Sequence, residues 1–139
     1  MTRVVLDTNV LISAFLWRQI SWKIFELASQ KKVDICISRE IMQEFSRVLF
    51  YPHIATQLNL IGKTPQEVAD ELLTKAEYYE ETPSLDTIKD DPSDNHILAC
   101  AAVARPDYII SGDQHLLKLK SFSGISILSP RQFLKVMKP

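Results

Sequence analysis

The residues of this chain best suited to chemistry are carboxylates placed where secondary structure begins or ends. Asp7 follows the short branched run Val4-Val5-Leu6, and Glu44 falls within a helix-like stretch. Asp91 and Asp94 stand in Asp90-Asp91-Pro92-Ser93-Asp94-Asn95 at the head of an apolar segment, and Asp113 closes Ser111-Gly112-Asp113 after Tyr108-Ile109-Ile110. Gathered in one cleft, such groups repel and raise each other's pKa, so the chemical reason to gather them is a divalent cation. Ligation by oxygen alone, with no His or Cys at hand, suits Mg²⁺ or Mn²⁺, which keep several waters and bridge to phosphate. A cation held there activates water for in-line attack on a phosphodiester and neutralises charge on the phosphoryl oxygens. It also supplies the positive charge that a chain of formal net charge −1 lacks for holding a polyanion. His53, His96 and His115 show no zinc-ligand spacing. His96 reads as a helix residue, because a metal can activate water without a general base beside it.

Each acid also has a plain structural reading. Asp7 before Thr8-Asn9 can cap a helix, and Glu44 alone can be a solvated side chain paired with Arg47 or Lys31. Asp91 before Pro92 reads as an N-cap, with Asp94 third in the helix, where a carboxylate suits the positive end of the dipole. One of that pair can therefore be only a cap.

The elements that must position these groups alternate between strand and helix, which predicts an α/β fold. Val4 to Leu6 reads as a strand covered on both faces, followed by helices from about Val10 to Trp17 and Trp22 to Ser29. Val33, Ile35 and Ile37 alternate with Asp34, Cys36 and Ser38 as a strand, and Ser38 can cap a helix from Arg39 to Phe50. On that helix Ile41, Phe45, Val48 and Leu49 make one apolar stripe, with Glu44 on its border facing a cleft. Thr64-Pro65-Gln66-Glu67 starts a helix predicted to run to about Tyr79, and Thr82 to Lys89 is irregular or a short edge strand. A small-residue helix through Ala104, a strand over Tyr108–Ser111, a strand over Ile125–Leu128 and a helix capped by Ser129 complete the order. Gly112 is expected to permit a sharp turn between the strand ending at Ser111 and the acid Asp113.

With 139 residues, 46% hydrophobic and 24% charged, residues 1–139 are expected to form one globular domain. No apolar run approaches the roughly 20 residues of a membrane span and no signal peptide is legible, so a cytoplasmic protein is expected. Cys36 and Cys100 read as small buried hydrophobes and not as a disulfide or metal pair.

In combination, Val4-Val5-Leu6-Asp7-Thr8-Asn9-Val10-Leu11, Glu44, Asp91-Pro92-Ser93-Asp94-Asn95 and Ser111-Gly112-Asp113 resemble the PIN domain nucleases over essentially the whole chain. Within them the chain resembles the toxins of type II toxin–antitoxin modules, the VapC-like proteins. The resemblance implies a three-layer α/β/α fold with a central, mainly parallel sheet of four to five strands. It implies an acidic site of Asp7, Glu44, Asp94 and Asp113, with Asp7, Asp94 and Asp113 on the metal and Asn9, Asp91 and Ser111 in support. It further implies magnesium-dependent (or Mn²⁺-dependent) cleavage of RNA, a homodimer, and inhibition by a small cognate antitoxin. The alternatives fit less well. A haloacid-dehalogenase-type phosphotransferase needs a second Asp where this chain has Asn9, and a receiver-like signalling domain needs an acidic pair where Asp7 stands alone. A PIN-like scaffold that binds without cleaving shares every motif and is separated only by assay.

Lys31, Lys32, Arg39, Arg47, Lys118 and Lys120 are candidates to contact phosphates without reading sequence, against a default of solvated charge. Trp17, Trp22, Phe25, Phe45, Phe50 and Tyr51 are core or interface aromatics, and any exposed ones offer a dimer or antitoxin surface. The segments Tyr51 to Lys63 and Glu80 to Lys89 read as the long loops, and neither carries the cations to cover an acidic cleft.

Overall fold

The computed structural model describes residues 1–17, 20–87 and 92–138. The elements are β1 (Thr2–Leu6), α1 (Thr8–Leu16), α2 (Ile20–Ser29), β2 (Val33–Ser38), α3 (Arg39–Leu49), α4 (Pro52–Leu60), α5 (Pro65–Lys75) and β3 (Ala76–Tyr79). They continue with α6 (Pro92–Ala104), β4 (Tyr108–Ile110), α7 (Gln114–Leu119), β5 (Ser121–Phe122), β6 (Ile125–Leu128) and α8 (Pro130–Val136).

Among the described residues the strands form one sheet in the order β3-β2-β1-β4-β6-β5. The first five are parallel, and β5 adds an antiparallel edge, so the sheet is one strand wider than the expected four to five. The middle strands are branched and wholly buried at Val4, Val5, Leu6, Ile35, Ile37, Ile109 and Ile110, the composition required of parallel strands covered on both faces. From β1 the chain moves outward to β2 and β3, then returns through α6 to β4 on the other side of β1. Right-handed crossovers in opposite directions put helices on both faces, and the direction changes between β1 and β4.

The helices follow from local chemistry. Ser38 accepts from the Ile41 amide (3.2 Å) and starts α3, which buries Ile41, Phe45 and Leu49 and leaves Glu44 half-buried, as its border position predicts. Ser38→Ala should lower stability by about 1 kcal/mol, the usual loss for an N-cap hydroxyl, read as a lower urea midpoint. α6 is apolar nearly all round, with Ile97, Leu98, Ala99, Cys100, Ala101 and Ala104 buried, and it packs against β1, β2 and β3. Cys36 and Cys100 are free and buried, and burial pushes their thiols up to about 11 and about 12, which keeps them unreactive. No described helix is long and apolar enough to cross a membrane.

Two segments differ from the sequence expectation, and a third takes one of its two expected forms. The helix from Thr64 ends at Lys75, and Ala76–Tyr79 is instead an edge strand pairing with Ile35–Ser38. Arg3 on β1 reaches across to Glu77 and to the Tyr79 hydroxyl, a long-range attachment that overrides helical continuation. Residues 81–87 are irregular, one of the two forms expected for Thr82 to Lys89, and the alternative edge strand is absent over the described part. The presumed loop after Tyr51 is mostly α4, with Pro52 at its first position, and Gly62 just beyond its end at φ +76°.

Candidate active site

The carboxyl ends of β1 and β4 lie side by side, because Leu6 pairs with Ile110 and the Asp7 amide donates to the Ile110 carbonyl (3.1 Å). That is the point where the sheet changes winding direction, the place where open α/β sheets leave a crevice for ligands. Asp7 is the first residue beyond β1, and Asp113 follows β4 after Ser111-Gly112. Each is also an N-cap: Asp7 accepts from the Val10 amide (2.8 Å), and Asp113 accepts from the amides of His115 (2.7 Å) and Leu116 (3.4 Å). Asp7 is thus a helix cap that also stands on the wall of this crevice, and two helix N-termini direct their positive ends toward the carboxylates.

Ser111 joins the two strand ends. Its hydroxyl donates to Asp7 Oδ2 and accepts from the Asp113 amide (2.9 Å), although the side chain is fully buried. Burial pushes the Asp7 carboxyl above the ordinary carboxylate range and the nearby Asp113 charge adds to this, while the bonds from Ser111 and Val10 work in the opposite direction. Gly112 is not in the left-handed region and a Cβ there would meet open space, so the turn does not require glycine as expected.

Asp7, Thr8, Asn9, Glu44, Ser93, Asp94, Ile97 and Asp113 line one cleft of about 90 Å³. Four acids from four separate segments thus meet there, with α6 delivering Asp94 (5% exposed) and α3 delivering Glu44. Asp91 lies outside the described residues. His96, next along α6, is exposed and lines a different cavity with Glu40, Thr82 and Asn95. Arg39 is paired with Glu40 and Glu80, which ties it to neighbouring acids instead of an approach to the cleft.

His115 is the residue that reading by spacing missed. Its Nδ1 stands 3.7 Å from Asp94 Oδ2 and 3.7 Å from Asp113 Oδ1. Ligand atoms of Asp94, Asp113 and His115 all lie within 4.8 Å of one another, so the donor set is not oxygen alone. Its place two residues after Asp113, in the first turn of α7, was the available signal. A divalent cation fits this arrangement on two counts. The donor set is carboxylate-rich, and the Thr8 hydroxyl, 6% exposed on the cleft wall, has no hydrogen-bond partner among the described residues.

Residues 3–115 match the family model described as PIN domain. Among solved structures, the chain is similar to one in the crystal structure of VapBC2 from Rickettsia felis bound to a DNA fragment from their promoter. That likeness has a TM-score of 0.64 at 15% identity and covers 92% of this chain and 98% of the other, which makes it a likeness of fold. No curated protein matches in sequence.

Proposed function

Because the chain belongs to the PIN domain family, we propose that it is a metal-dependent endoribonuclease and the toxin of a toxin–antitoxin pair. The observation that carries the reading is the lining of one cleft by Asp7, Glu44, Asp94 and Asp113 at the winding change of the sheet. In this proposal Asp94 and Asp113 hold Mg²⁺ or Mn²⁺ together with Asp7. The bound cation supplies Lewis-acid chemistry at a phosphodiester. Ser111 keeps Asp7 and Asp113 in register, Asn9 offers an amide at the rim, and Glu44 on the facing helix orients the attacking water and takes its proton.

The toxin assignment draws on the resemblance to VapC-like proteins and on the similar fold in the VapBC2 complex. Trp17, Phe50 and Tyr51 are exposed, at the ends of the neighbouring helices α1 and α3, and provide apolar surface for a second copy or for a helix of a small antitoxin. An antitoxin Arg or Lys reaching the acids would compete with the cation.

Purified protein incubated with single-stranded RNA should cleave it when Mg²⁺ or Mn²⁺ is added and lose that activity in EDTA. Full cleavage in EDTA would overturn the metal-site reading. Cation binding without cleavage under any condition would mark the fold as a binding scaffold.

A further inference from the structure

We infer that His115 supplies a nitrogen ligand to the cation held by Asp94 and Asp113, and thereby makes the site favour Mn²⁺ over Mg²⁺. This rests on the reading above that the cleft binds a divalent cation. The imidazole is built into the site by its own backbone: the His115 amide donates to Asp113 Oδ1 (2.7 Å) and fixes the residue in the first turn of α7. From there Nδ1 lies at equal distance, 3.7 Å, from one oxygen of each carboxylate. That separation is too long for a hydrogen bond. It falls within the range for donors sharing one ion, since two ligands about 2.1 Å from an octahedral ion are about 3 Å apart when adjacent and about 4 Å apart when opposite.

A second observation points independently to a guest in the cleft. The buried Thr8 hydroxyl lines it without a hydrogen-bond partner among the described residues, a position that a water on the cation would satisfy. The ring of His115 is half-exposed, at 52%, so it can turn toward an incoming ion without disturbing the core.

The consequence is one of selectivity. Mg²⁺ demands oxygen ligands and dehydrates reluctantly, whereas imidazole suits first-row transition ions and raises their affinity relative to Mg²⁺. An all-carboxylate cleft would separate the two ions weakly. The same carboxylates joined by an imidazole separate them more, and the selectivity then resides in a side chain that none of the four acids replaces.

The test uses the full chain loaded with Mn²⁺ alone and pulsed electron paramagnetic resonance. The wild type should show ¹⁴N coupling to Mn²⁺, and His115→Gln, which offers an amide oxygen in place of the ring nitrogen, should still bind Mn²⁺ but lose that coupling. In competition titrations the ratio of Mn²⁺ to Mg²⁺ affinity should fall by about tenfold in His115→Gln. Wild-type protein that binds Mn²⁺ without ¹⁴N coupling, or coupling that persists in the variant, overturns the inference while leaving the cation site intact. An unchanged affinity ratio also overturns it. Failure of the wild type to bind any divalent ion overturns both this inference and the reading on which it rests.

Discussion

Asp7→Asn should abolish RNA cleavage, by about 100-fold or more, in a protein at least as stable as the wild type. The loss exceeds that typical of groups that merely orient a metal ligand, because Asp7 is proposed to touch the cation itself. The stability follows from the site's own bonds. Asn can still accept from the Val10 amide through its carbonyl oxygen, and its NH₂ can donate to Ser111 Oγ, so the cap survives. The buried charge is meanwhile removed. With the folded-state pKa of Asp7 raised above its unfolded value, the native state is penalised once pH climbs through the ordinary carboxylate range toward that raised value. Below the range both states are neutral and the penalty vanishes. The variant's advantage in melting temperature should therefore be largest near neutral pH without metal and should shrink as pH falls. Growth arrest on expression without a partner should disappear in the same variant. Unaltered cleavage by Asp7→Asn would remove Asp7 from the metal.

Where each group was legible depended on how local its cause was. β1, β2, β4 and β6 could be read directly, because branched runs ended by polar residues are a property of the segment itself. The acids Asp7 and Asp113 are legible for the same reason, since Asp7 directly follows such a run and Asp113 follows one after Ser111-Gly112. β3 was not, because Ala76–Tyr79 continues α5 in sequence and becomes a strand only through pairing with β2 and the reach of Arg3 across the sheet. α4 buries only Leu58 among its residues and so carries no apolar stripe to read. α7 spans six residues, too few for periodicity, and its cap Asp113 was read only as a strand-end acid. His115 shows no ligand spacing along the chain, because its partner Asp94 arrives from α6 through the fold.

Phe15→Ala should cost about 3–5 kcal/mol, the largest stability loss expected of any substitution considered for this chain. Phe15 is 1% exposed and sits among aromatic rings from two other helices. Its centroid lies 4.7 Å from Phe25 and 6.0 Å from Trp22 on α2, and 6.0 Å from Phe45 on α3. Lys63, beyond α4, holds its ammonium 5.8 Å from the same ring. Truncation removes the transfer free energy of the ring, leaves a cavity bounded by stiff neighbours, and forfeits the edge-on aromatic contacts and the cation–π contact together. Against a total stability of about 5–15 kcal/mol for a domain, that brings the variant close to unfolding at 37 °C. The aromatic cluster also joins the helix that Asp7 caps to the helix that carries Glu44, so it bears on the cleft only through the relative placement of α1 and α3. Cleavage per folded molecule should thus fall far less than in Asp7→Asn, while the urea midpoint falls far more. A loss below about 1 kcal/mol would mean that neighbouring side chains refill the space, and that the cluster is not the joint between these helices.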